Sequence, residues 1–140
     1  MPQGRVAVLT EIRTPIASDA DIVTARSQGR LLCEEMGFSA SERTLVATAI
    51  SEVARNIVRF ARRGEIVVCP IIQNGTRGVK IVARDEGPGI PDIDLAMRDG
   101  YSTAHGLGLG LPGARRLMDE FEIISEVGKG TTITMKKMVP

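Results

Sequence analysis

Residues 39–63 read SASERTLVATAISEVARNIVRFARR, and residues 64–85 continue GEIVVCPIIQNGTRGVKIVARD. The first stretch predicts a helix. Ser39 and Glu42 have capping-box spacing, in which the serine oxygen takes one orphan N–H and the glutamate reaches back for another. Val46, Ile50, Val53, Ile57 and Phe60 then recur at helical spacing as a core stripe. Arg62 and Arg63 suit the negative end of the helix dipole, and Gly64 is read as the stop. The second stretch predicts strands at 65–72 and 76–85. Asn74 and Gly75 join them as a hairpin, because both residue types tolerate positive φ.

Working outward, residues 5–13 (RVAVLTEIR) alternate as a half-buried strand does, and Pro15 is expected to end it. Residues 19–36 form a helix with Ile22, Val23, Leu31, Leu32 and Met36 as its apolar side and Gly37 as its stop. Residues 113–120 (GARRLMDE) read as a helix. Residues 121–127 and 131–138 read as strands joined by Gly128, Lys129 and Gly130. Helices grouped apart from hairpin-linked strands give an α+β sandwich: one mixed, mostly antiparallel sheet with helices on one face. A doubly wound parallel sheet needs strict alternation of strand and helix, which this order lacks.

The chain has 140 residues, 43% hydrophobic and 25% charged, which fits a single domain over 1–140. With no Trp, one Tyr and three Phe, the core must be aliphatic, and a base-stacking surface for single-stranded nucleic acid is not expected. A net charge of +1 gives no general pull toward nucleic acid or membranes. No apolar run reaches the ~20 residues of a membrane span, and no signal-peptide pattern opens the chain. Cys33 and Cys69 lack metal-ligand spacing and read as reduced thiols of a cytoplasmic protein.

Residues 86–112 carry six glycines and three prolines, and they predict a long loop. Such a loop costs ordering entropy without filling a core, and a ligand lid explains it. Three motifs flank or lie within it. Glu52 and Asn56 are four apart, so they project one turn apart at the edge of the apolar stripe. An amide oxygen is a suitable Mg²⁺ ligand, and a neighbouring carboxylate can accept a proton. A solvated helix face with Glu52 paired to Arg55 or Arg59 explains the same residues.

Residues 85–90 (DEGPGI) follow a strand. Asp85 is placed to accept a hydrogen bond from an exocyclic amine, while Gly87 and Gly89 let backbone approach a flat ring. A tight turn explains them equally well. Residues 106–113 (GLGLGLPG) lead into a helix with Pro112 in its first turn, an arrangement that cradles phosphate. Gly106, Gly108 and Gly110 are the candidate phosphate contacts. The match to G-x-G-x-x-G is not a dinucleotide fingerprint, because no strand precedes it. A Walker A motif and the protein-kinase signature set are both absent. His105, the only histidine, has no partner that would make it a phosphoacceptor. Thr131, opening the last strand, carries a hydroxyl within reach of a base.

Taken in order, SEVARN (51–56), DEGPGI (85–90), GLGLGL (106–111) and GTT (130–132) resemble the GHKL ATPase/kinase family of gyrase, Hsp90, histidine kinases and MutL. The resemblance covers nearly the whole chain, and its joint order is more specific than any one motif. It implies a Bergerat-type two-layer sandwich that binds ATP and Mg²⁺. Within the family, AISEVARNIVRFA, DEGPGIPDIDLAMRDGYST and GLGLGLPGARRLMDEFEI look like the stressosome switch kinases. That branch implies phosphorylation of serine or threonine on STAS-domain partners of the RsbS and RsbR type, then activation of a PP2C-type phosphatase of the RsbU type. Carried over by motif, Glu52 is the general base and Asn56 the Mg²⁺ ligand. Asp85 holds the adenine amine, Gly87 and Gly89 line the base pocket, Gly108 and Gly110 meet the phosphates, and Thr131 assists at the base.

One departure bears on the branch. Anti-sigma-factor kinases of the family carry an arginine just before the phosphate-loop glycines, and residues 99–114 contain none. Arg98, Arg55 and Arg59 are the remaining cations for a γ-phosphate. An anti-sigma-factor kinase and a non-catalytic ATP-dependent switch remain the alternatives.

Overall fold

A computed structural model describes residues 6–8, 10–98 and 110–140. Strand β1 (Val6–Val8) and strand β2 (Ile12–Ile16) lead to helices α1 (Asp19–Met36) and α2 (Ala40–Asn56). A π turn (Ile57–Ala61) extends α2, and the hairpin of β3 (Gly64–Gln73) and β4 (Thr76–Asp85) comes next. Short helix α3 (Ile93–Ala96) and helix α4 (Gly110–Leu117) precede the second hairpin, β5 (Glu120–Glu126) and β6 (Gly130–Met138). The sheet order is β1-β3-β4-β6-β5, with β2 also on β3, and every described pairing is antiparallel.

Alternation along the strands divides the apolar residues between two faces. Ile66, Val68, Val79, Ile81, Ala83, Ile133 and Met135 pack with Leu32, Ile50, Val53 and Leu111 from the helices. Val67, Cys69 and Ile71 form a smaller cluster with Val82 and Met138 on the opposite face. The helices therefore cover one side, and the fold is the expected α+β sandwich. Gly29 is the point where α1 meets α2: a Cβ there would collide with Ile50 Cδ1. A glycine inside a helix costs about 0.5–1 kcal/mol relative to alanine, so this one is explained by the approach it permits.

Several boundaries agree with the sequence reading. Helix α1 runs from Asp19 to Met36, with Gly37 left-handed at φ 92°. Asn74 (φ 52°) and Gly75 (φ 79°) make the turn of the first hairpin. Cys33 is fully buried, and burial pushes its thiol up to about 12. Cys69 is also raised, first by burial and then by the Glu11 carboxylate.

Other local expectations are corrected. The N-terminal segment is two strands, because pairing advances from Val8–Ile71 to Ile12–Val68, four residues against three. Pro15 lies inside β2 opposite Glu65, as proline can in an edge strand. Only half of the capping box forms: the Glu42 N–H donates to Ser39 Oγ at 3.2 Å, while the Glu42 carboxylate lies 3.5 Å from Lys137 Nζ. Helix α4 starts at Gly110 and ends at Leu117, so it sits earlier in the chain than the expected 113–120. Pro112 fits its first turn, where the lost N–H has no partner in any case.

Phe60 is corrected as well. The regular helix stops at Asn56, and the wider π turn rotates the later side chains off the core stripe. Ile57 remains 1% exposed, but Phe60 is 55% exposed. Arg62, at φ 73° and ψ −40°, terminates the turn, and Gly64 belongs to β3. No helix among the described residues is long and apolar enough to cross a membrane.

Candidate functional site

Glu52 is 6% exposed on α2. A carboxylate taken from water needs partners, and each of its oxygens has one. Oε1 pairs with the Arg55 guanidinium on the same helix. Oε2 accepts the Gly110 N–H at 2.8 Å. Gly110 opens α4, whose first N–H groups lack helical acceptors and carry the positive end of the helix dipole. Glu52 therefore ties the middle of the fold to the end of the glycine-rich segment.

Asn56 stands one turn further on, half-buried at the last regular position of α2. Its side chain hydrogen-bonds to no described residue. It lines a cavity of about 280 Å³ with Arg59, Phe60, Gly89, Ile90 and Leu111. Among the described residues, no group of three or more His, Cys, Asp or Glu could hold a metal ion. An oxygen-seeking cation here would be held by the Asn56 amide oxygen, ligand oxygens and water, which is the way Mg²⁺ is commonly bound.

Asp85 ends β4 and is 8% exposed. Its Oδ1 accepts the Gly87 N–H at 2.9 Å and the Thr131 N–H at 3.3 Å. Its Oδ2 takes no hydrogen bond from a described residue, which leaves an acceptor for an incoming amine. Asp85 lines a separate hollow of about 510 Å³ with Ala61, Arg63, Gly64 and Glu86. Gly87 is packed against Ala61, where a Cβ would come within 2.5 Å of the Ala61 Cβ. Gly89 is held at φ 79° over the second hairpin, and its own Cβ would meet the Glu126 carbonyl at 2.5 Å. The Gly128 N–H donates to the Pro88 carbonyl at 2.8 Å and completes this clasp.

Thr131 on β6 pairs with Asp85 on β4 and is 4% exposed. Its hydroxyl is 2.7 Å from Ser125 Oγ. Ser125 Oγ also accepts the Ile90 N–H at 2.7 Å and reaches the Gly130 carbonyl at 3.3 Å. Ser125 thus joins the DEGPGI turn to β6, a role the sequence reading missed. The available signal was a lone hydroxyl in β5 on the side otherwise occupied by Phe121 and Ile123.

The structure thus brings Glu52, Asn56 and Gly110 together at one end, and Asp85, Gly87 and Thr131 at the other, with Gly89 on the wall of the Asn56 cavity. Gly106, Gly108 and His105 lie outside the described residues. Gly130 holds the two β-segments in register: at φ 131°, its Cβ would collide with the Asp85 carbonyl oxygen. Gly130→Ala is expected to destabilise the fold by about 2 kcal/mol or more, from positive-φ strain plus overpacking. Urea unfolding midpoints at constant slope measure this. A loss below about 0.5 kcal/mol would show that the turn relaxes freely.

Chemically, the arrangement offers a buried carboxylate beside a helix N-terminus, a free amide oxygen one turn away, and a second carboxylate with an open acceptor. Those groups suit a ligand with several anionic oxygens at one end and a hydrogen-bond donor at the other. A model of the histidine kinase-like ATPase domain matches residues 16–137. Serine/threonine-protein kinase RsbT of Bacillus subtilis (strain 168) is 50% identical over 118 residues, 84% of this chain and 89% of that one. Anti-sigma F factor of Geobacillus stearothermophilus is 35% identical over 106 residues, 71% of each chain. Two solved structures share the fold. The RsbU and RsbW domains of a Mycobacterium tuberculosis protein superpose with TM-score 0.64 at 23% identity, over 93% of this chain and 33% of that longer one. The SiaB–SiaC complex of Pseudomonas aeruginosa gives TM-score 0.55 at 16% identity, over 94% and 91%.

Proposed function

This chain belongs to the histidine kinase-like ATPase family, and from that premise we propose how its residues divide the work of an ATP-dependent serine/threonine-protein kinase of the RsbT kind. The observation that carries the reading is the buried Glu52, held at the N-terminus of α4 one turn from the unpaired Asn56 amide. A module that only binds ATP has no need of a carboxylate at that place.

In this reading, Asp85 Oδ2 accepts the exocyclic amine of adenine, with Thr131 behind it and Gly87 and Gly89 beside the base. The phosphates lie toward the α4 N-terminus. Gly106 and Gly108 are the contacts that the motif implies, and Gly110, whose N–H is given to Glu52 Oε2, borders them. Asn56 supplies an oxygen to Mg²⁺, which when bound neutralises charge on the phosphates. Glu52 accepts the proton of the acceptor hydroxyl. That oxygen forms the new bond to the γ-phosphorus, the bond to the bridging oxygen breaks, and ADP leaves. An ionised carboxylate has about four acceptor sites, so the Arg55 and Gly110 contacts leave room for that proton.

The acceptors in this proposal are STAS-domain proteins of the RsbS and RsbR type. The released kinase then activates a PP2C-type phosphatase of the RsbU type. Residues 1–140 act as one such unit in the cytoplasm, without nucleic acid or membrane. Labelled ATP offered with purified STAS-domain proteins and with a sigma factor tests this directly. Label is expected on serine or threonine of a STAS domain. Tight ATP-dependent capture of the sigma factor, with no labelled STAS domain, would favour the anti-sigma reading that the 35% relative supports.

Asn56→Ala gives a second check. It is expected to weaken ATP binding in Mg²⁺ by about tenfold or more while changing adenosine binding little, as isothermal titration would measure. Equal losses for both ligands would point to damage of α2 instead.

A further inference from the structure

The π turn projects an aromatic side chain among arginines. Phe60 is 55% exposed. Arg59, Arg62 and Arg63 around it are all exposed, and none has an ionic or hydrogen-bond partner among the described residues. The nearby acid on β3, Glu65, is engaged by Arg13 and Arg84. Glu86 lies across the second hollow. Arg62 holds a left-handed φ of 73° with a full side chain. A regular continuation of α2 would turn Phe60 toward the core stripe and remove that strain. The chain instead keeps a π turn, an exposed aromatic ring and an unfavourable backbone angle together between Ile57 and Arg62. π turns of this kind gather at functional positions.

Location supplies the second observation. Arg59 and Phe60 line the cavity that holds Asn56, and Arg63 lines the hollow that holds Asp85. The turn therefore forms the rim of both. Asn56, one turn on from Glu52 in α2, shares its cavity with Arg59 and Phe60, so a protein that approaches this end of α2 meets the rim. Aromatic and arginine side chains are the residue types that dominate binding energy at protein interfaces.

We infer that Phe60 with Arg59, Arg62 and Arg63 is the docking surface for the phosphoacceptor protein, which presents carboxylates around an apolar hollow beside its acceptor hydroxyl. The inference rests on the kinase reading above and adds the partner-recognition element to it. Charge complementarity selects this occupant. Three unpaired cations want acids, and a ring among them wants an apolar recess. One aromatic ring on a chain of net charge +1 is a poor platform for nucleic acid.

The test uses Phe60→Ala and the pair Arg62→Glu with Arg63→Glu, alongside wild type and a STAS-domain acceptor. Acceptor KM and kcat are read with labelled ATP, complex formation by titration, and ATP affinity with a fluorescent analogue. Phe60→Ala is expected to raise the acceptor KM about 30-fold, the size of an interface hot spot, and to affect ATP at least tenfold less. The double charge reversal is expected to raise KM similarly and to be partly rescued by acceptor variants carrying Asp or Glu→Lys. Weakening of the wild-type complex by salt should flatten in the same pair. If Arg62→Glu disturbs folding, Arg62→Gly with Arg63→Gln removes the charges while relieving the backbone.

Wild type that labels the acceptor, with variants of unchanged KM, overturns the docking surface alone. Variants that lose ATP affinity as much as acceptor affinity do the same, by making the patch part of the nucleotide site. Dissociation of a self-associated wild type by these variants would overturn it too, by assigning the face to a second copy of this chain. Wild type that neither labels nor binds the acceptor overturns both readings.

Discussion

Glu52→Gln is expected to lower phosphoryl transfer by about 10²–10⁴-fold, the usual contribution of a positioned acid or base, while ATP stays bound. Glutamine keeps the shape and still offers one oxygen to the Gly110 N–H. It cannot take the acceptor proton, and its amide would face the Arg55 guanidinium, donor against donor, unless it flips. Some loss of stability is therefore expected beside the larger loss of rate, because breaking one partner of a buried ion pair leaves the other uncompensated. Single-turnover labelling at saturating ATP separates the two effects. Near wild-type transfer in a variant that still binds ATP would remove Glu52 from the reaction.

Asp85→Asn is expected to weaken ATP by about 10–100-fold, from loss of a hydrogen bond to a charged acceptor, worth about 1.5–3 kcal/mol. The asparagine oxygen can keep the Gly87 and Thr131 N–H contacts that Oδ1 makes. The substituted nitrogen then points a donor where Oδ2 was, against the amine of the base. Inosine triphosphate, which carries an oxygen at that ring position, should lose less or even gain. Equal losses for both nucleotides would mean that the base is not read by Asp85.

The reach and limits of the sequence depend on what kind of force sets each feature. Helix α1 and the first hairpin were legible because their ends are decided locally, by Gly37 at φ 92° and by Asn74 with Gly75. The one-turn spacing of Glu52 and Asn56 was legible for the same reason. Phe60 was misread because a helical stripe carries no mark of the place where the turn widens from α to π. Glu42 was misread because Lys137, in the last strand, offers its carboxylate an ion pair. The Glu52–Gly110 contact joins residues 58 apart, and no local pattern announces it. Ser125 left only one hydroxyl on an apolar face as its sign, and its three contacts exist only once β5 lies beside β6 and the DEGPGI turn.

The pairing of β4 with β6 carries a consequence for how this molecule is assembled and varied. Each hairpin closes over a short turn, but Asp85 meets Thr131 only after the chain has looped through the whole intervening region. Joining the two hairpins is thus a non-local pairing, whose closure entropy is lost before its contacts form, and such pairings slow folding. Closure entropy rises only with the logarithm of loop length, about 0.6 kcal/mol per doubling. Insertions and deletions between α3 and Gly106 should therefore cost the sheet little, so the length of that stretch can vary while the hairpins on either side and the glycines proposed to meet phosphate stay unchanged.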